Sequence, residues 1–202
     1  QTHREAETAA AQGLDADYEG IQGLTETGQA GLLMQRYLHE YNLPGDALGG
    51  FPLLAHANAV NNPYAMYRRA ISMETYAGAD KINDPLNLYD AAPYADGAAA
   101  LILTRRDLLP ADYPLPVVRL LGSSAATDTL ALHDRKDPLA FEAAKDAVHD
   151  ACMQAGIMPI YTDIFELDDS YSVYAALTLE ACGYADKGTA WQMARDGLLK
   201  PD

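Results

Sequence analysis

Two rhythms of apolar residues run along this chain. From Ala30 to Tyr41 they recur as Ala30, Leu33, Met34, Tyr37, Leu38 and Tyr41, the spacing of one helix face, with Pro44 just beyond as a stop. A second helix is predicted from Pro52 to about Asn61, before Pro63. A third is predicted with Asp137 as its N-cap and Pro138 at its first position. Phe141, Ala144, Val148, Cys152 and Ala155 keep one apolar face of it, and Gly156 ends it. Ser170 is the expected cap of a fourth helix ending at Gly183, and Gln1 to Gly13 reads as a partly solvated helix.

The second rhythm is continuous. Ala98 to Leu103 is uncharged and apolar throughout, as in a strand buried on both faces. Pro116 to Leu121 and Ile164 to Leu167 are further expected strands. Asp84-Pro85, Asn61-Asn62-Pro63 and Asp96-Gly97 are turn signals. The resulting order of strand, connection, strand, helix, strand and helix is that of a layered α/β protein. The charged, Pro-bearing connection from Arg105 to Pro116 is where a boundary is expected.

Composition narrows the function classes. The 202 residues are 49% apolar, a globular proportion, with a net charge of −15. That balance argues against nucleic-acid or anionic-membrane surfaces, which need clustered Lys and Arg. The two cysteines, Cys152 and Cys182, form no CxxC pattern and read as buried, inert thiols rather than a disulfide or metal site. No run reaches the roughly 20 apolar residues that span a bilayer, and the N-terminus lacks an apolar signal core, so a cytoplasmic protein is the default.

Few residues suggest chemistry by themselves. The Gly-rich stretch from Tyr18 to Gly31 lacks both phosphate-loop patterns. His56, alone on its helix, reads as structural. Arg68 and Arg69 are suited to phosphate contacts or to structural ion pairs. The turn Glu166-Leu167-Asp168-Asp169-Ser170-Tyr171 joins an expected strand to an expected helix, where open α/β sheets place their ligands. From spacing alone, Asp168 and Asp169 read first as helix caps.

A resemblance covers about Gly20 to Gly183. It rests on the segment Asp84 to Leu103 (DPLNLYDAAPYADGAAALIL) together with Leu33 to Tyr41 (LMQRYLHEY), Asn61 to Ala65 (NNPYA), Gly122 to His133 (GSSAATDTLALH) and Phe165 to Tyr171 (FELDDSY). In this order they resemble the thiolase superfamily, most closely its archaeal and sterol-carrier-protein type. The resemblance implies a layered α/β/α/β/α fold, present in part. Residues 1–105 would be the latter part of its N-terminal half, and 106–202 the first part of its C-terminal half. It implies a whole protein that condenses or cleaves acyl-CoA thioesters, with coenzyme A as substrate and no permanent cofactor or metal. A homo-oligomer is expected, and a small OB-fold protein is a candidate partner.

The resemblance also implies site residues. Asp168 takes the position of an Asn or His that helps hold the acyl oxygen, and is the candidate catalytic residue. Ala91, Ala92, Pro93, Tyr171 and Arg68 are the candidate substrate and coenzyme A contacts. Two positions depart from the family. An ionised Asp168 would repel an oxyanion, and Ala92 replaces a Ser that meets the pantetheine arm. The nucleophilic Cys and the Gly-His-Pro and Cys-x-Gly motifs are not in this sequence, so it is expected to be the middle of a longer protein and inactive alone. Two alternatives stand: a retro-aldol lyase of the same fold acting on steroid-type acyl-CoA side chains, and a non-catalytic scaffold subunit.

Overall fold

A computed structural model describes residues 11–199, with Glu5, Thr8 and Ala9 before them. The helix expected over Gln1 to Gly13 lies largely outside the described residues. Six helices follow: α1 (Glu26–Glu40), α2 (Gly50–Ala59), α3 (Met73–Ala77), α4 (Glu142–Ala155), α5 (Ser172–Ala181) and α6 (Ala190–Arg195). One antiparallel hairpin, β1 (Lys81–Asn83) with β2 (Leu86–Asn87), turns at Asp84 and Pro85. No helix among the described residues is long and apolar enough to cross a membrane.

The helices form where local chemistry closes their ends. Thr25 caps α1 by accepting from the Gly28 N–H at 3.0 Å, and Ser72 caps α3 by accepting from Thr75 N–H at 3.1 Å. Gly156 ends α4 in the left-handed conformation that glycine adopts without steric cost. Helix α5 is buried on nearly every side, at Val173, Ala175, Ala176, Leu177 and Leu179. It packs against α1, α2, α4 and α6 and is the axis of the core. The apolar stripe of α1 meets it through Leu33, Met34 and Tyr37. Behind this contact the Tyr37 hydroxyl donates to Glu180 at 2.5 Å, and Glu180 also accepts from the Ala190 N–H at 3.1 Å. One carboxyl thus ties α1, α5 and α6 together.

Two helix starts differ from expectation. Asp137 does not cap α4, which begins five residues later. Its carboxyl instead accepts from the Leu139 N–H at 3.0 Å and pairs with Lys187, closing a local turn. Ser170 does not cap α5 either. Tyr171 occupies the cap position, and Ser170 is engaged elsewhere.

The three expected strands do not form among the described residues. Residues 98–103, 116–121 and 164–167 join no ladder among the described residues. The apolar side chains of 98–103 and 116–121 are exposed, Ile102 at 96% and Val118 at 93%, whereas Phe165 and Leu167 pack against the core. A strand is completed by a neighbour's N–H and C=O groups, and nothing described here lies alongside to supply them.

Candidate active site

Two stretches far apart in sequence meet at the N-terminus of α5. Ala91 pairs antiparallel with Tyr171, and the Ala92 N–H donates to the Ser170 carbonyl at 2.8 Å. The segment that leaves the bridge at Ala91 borders an open cleft of about 720 Å3. Phe51, Leu167 and Leu179 give the cleft an apolar lining. Ala91, Ala92 and Pro93 line one side, and His56, Glu166 and Asp169 add polar groups.

The two aspartates of the turn point to different places. Asp168 Oδ1 accepts from both the N–H and the hydroxyl of Ser170, at 2.9 and 2.5 Å, closing an Asx turn. Its side chain lines a second, smaller hollow with Arg135 and Tyr174. Asp169 lines the main cleft. Partial desolvation there raises its pKa above the ordinary carboxyl range, and repulsion from Asp168 and Glu166 adds to the rise.

The other candidates spread out. The Tyr171 side chain is buried rather than in the cleft, its hydroxyl 2.9 Å from Thr27 Oγ1 and its ring edge-on to Tyr174. Arg68 is exposed on the loop after α2 and does not line the cleft. That loop is held by His56, whose Nδ1 lies 2.9 Å from the Arg69 carbonyl oxygen and whose ring packs edge-on against Tyr89. His56 therefore has a structural tie as well as a place on the cleft wall.

Neither cysteine reaches the cleft. Cys182 is buried, and burial pushes its thiol up to about 11; Cys152 is half-buried on α4, and both are free. A thiol this reluctant to ionise is a poor nucleophile. Among the described residues no group of acidic, His and Cys side chains is arranged to hold a metal ion.

Asp90 is a site residue that sequence reasoning passed over. It is 2% exposed, is among the residues that border the cleft, and directly precedes Ala91. A signal for it was present. Asn87 and Asp90 stand three apart and form a reciprocal capping box around a single helical turn, Leu88–Asp90.

Known proteins resemble this chain in sequence and in fold. The family described as "Thiolase C-terminal domain-like" matches residues 124–202. The chain is 31% identical to an acetyl-CoA acetyltransferase of Methanothermobacter thermautotrophicus over 188 residues, 93% of this chain and 49% of that protein. It is 28% identical to bovine sterol carrier protein 2 over 146 residues, 70% of this chain and 27% of that one. Among solved structures, "Ltp2-ChsH2(DUF35) aldolase" superposes with a TM-score of 0.80 at 22% identity, covering 92% of this chain and 50% of that chain. The chain thus spans about half the length of the archaeal relative it matches.

Proposed function

The chain belongs to the thiolase superfamily, and from that premise we propose that residues 90–93 and 168–172 are its share of a site handling acyl-CoA thioesters. The whole protein would transfer an acyl group to or from coenzyme A, as the names of its archaeal relatives describe for them. The observation that carries this reading is the Ala91–Tyr171 bridge, which sets a small-residue segment and an acidic turn on the same cleft. Ala91 and Ala92 leave room for a slender pantetheine arm, and the apolar wall suits its acyl end. Residues 1–105 and 106–202 are the proposed shares of the two family halves.

Of the two aspartates of the turn, Asp169 is the one that faces the cleft, while Asp168 holds the turn. A carboxyl whose pKa is raised keeps its proton to higher pH than a free Asp, which suits proton donation. As an acid it loses that role as pH rises through its folded pKa. The nucleophile is not supplied by Cys152 or Cys182, since neither lies on the cleft.

The test is acetoacetyl-CoA cleavage by the full-length protein. Asp169→Asn is expected to lower kcat about 100-fold and to remove the fall in rate at high pH, a typical loss for a proton-transfer group. Asp168→Asn is expected to change kcat less than about threefold, because Asn closes an Asx turn nearly as well as Asp. An Asp168 variant that loses most of its turnover while Asp169→Asn does not would overturn these assignments. A retro-aldol lyase is the second reading, favoured by Tyr89 and Tyr184 on the cleft wall, which can serve as acid or base. It predicts carbon–carbon cleavage of a β-hydroxyacyl-CoA with no thiolysis.

A further inference from the structure

We infer that Asp90 is a positioning residue that clamps the Ala91–Pro93 segment to the N-terminus of α5, in the geometry that receives the ligand. The inference rests on the reading of the cleft as a thioester site.

Three elements converge on one carboxyl. The Tyr76 hydroxyl of α3 reaches both oxygens, at 3.0 Å from Oδ1 and 3.1 Å from Oδ2. The Asn87 N–H of β2 donates to Oδ2 at 2.9 Å. The Ser172 side chain, buried in the first turn of α5, lies beside the same carboxyl and favours its charged form. Asn87 closes the ring behind them by donating its Nδ2–H to the Tyr76 carbonyl at 3.1 Å.

The group is costly where it sits. No Lys or Arg among the described residues pairs with it, and the nearby Lys81 is bonded to Asp84 at 2.6 Å. Burial raises its pKa although every hydrogen bond on it favours the charged form. A buried carboxyl without a counter-ion is retained only when its donors are well placed.

Those donors place the cleft wall. The chain runs from Asp90 into Ala91, which pairs with Tyr171, and from Tyr171 into Ser172, whose side chain lies beside Asp90. The backbone bridge, the Ala92–Ser170 hydrogen bond and this side-chain contact therefore fasten the same two segments at adjacent residues. With these fastenings in place, Ala91–Pro93 cannot slide along the α5 turn that carries Asp169.

The clamp can be read with and without turnover. In the full-length protein, Asp90→Asn replaces one acceptor oxygen with an NH2 group that faces the same donors. Amide exchange at Ala92, whose N–H donates to Ser170, is expected to rise about tenfold or more, while the Leu177 amide inside α5 stays unchanged. KM for acetoacetyl-CoA is expected to rise about tenfold with kcat within about twofold, as loss of uniform binding requires. Ser172→Ala removes only the α5 side-chain contact and should move Ala92 exchange in the same direction. Its effect should not add to that of Asp90→Asn, because both cut one contact. If Asp90→Asn does not fold, Ser172→Ala alone carries the exchange measurement. Ala92 exchange left unchanged by these variants, or a fall in kcat at constant KM, overturns the inference. Absence of acyl-CoA cleavage by the unaltered protein would defeat the functional reading, while Ala92 exchange would still decide the clamp.

Discussion

Helix α5 and the segment 98–103 are both close to continuously apolar, yet one is the most buried part of the molecule and the other among the most exposed. Val173 and Leu177 are inaccessible to solvent, whereas Ile102 is 96% exposed. Hydrophobicity does not separate them; the backbone does. A helix pairs its own N–H and C=O groups, so α5 needs only side chains around it, and α1, α2, α4 and α6 supply them. An extended segment leaves every peptide group to be paired by a neighbouring strand, and side-chain cover follows from that pairing. The same apolar content is thus satisfied within the chain in one case and calls for another strand in the other.

The largest expected effect lies on the helical side of this contrast. Leu177→Ala removes a fully buried side chain from the axis of the core, and should cost about 2–5 kcal/mol in chemical denaturation of the protein. A loss under about 1 kcal/mol would mean that α5 is not the organising contact. The next effect tests how tightly the helices close. Gly188 has a φ of +77°, and a Cβ there would run into the Tyr41 ring. Gly188→Ala is therefore expected to cost about 1–3 kcal/mol, since both the left-handed backbone and the ring contact oppose it. A stability change under about 0.5 kcal/mol would show that Tyr41 swings away freely.

This contrast also explains what could be read in the sequence. The stripe of α1 was legible because helix burial is periodic and local, and α2 was legible from its prolines, Pro52 near its start and Pro63 beyond its end. That 98–103 and 116–121 form no helix was legible too, but whether a ladder receives them was not, because a ladder depends on residues remote in the chain. The start of α4 was misread at Asp137 because an Asx turn and a helix cap use the same side chain and the same local N–H groups. At the cleft, the turn 166–171 and the Ala91–Pro93 segment stood out in sequence, while their meeting through the Ala91–Tyr171 bridge did not. Asp90 escaped notice because its partners Tyr76 and Ser172 come from separate elements. Spacing exposed only the Asn87 half of its network.

The smallest expected effect is the one that bears hardest on the comparison. Ile102→Ala, in the 202-residue chain itself, removes a side chain of the same apolar class as Leu177 from a site that is almost fully solvated. It should change stability by no more than about 0.5 kcal/mol, because no cavity forms and little burial is lost. Equal losses for Ile102→Ala and Leu177→Ala would mean that residues 98–103 are covered in solution, and the contrast would fail. A companion substitution sharpens the test. An exposed apolar segment with unpaired peptide groups is a template for association between chains, and a charge on it opposes that pairing. Ile102→Lys should therefore lower the concentration-dependent self-association of this chain in sedimentation velocity while leaving its unfolding midpoint in place. If the unaltered chain stays monomeric across the concentration series, the exposed segment is not adhesive. The unpaired ladder groups would then be satisfied by water alone.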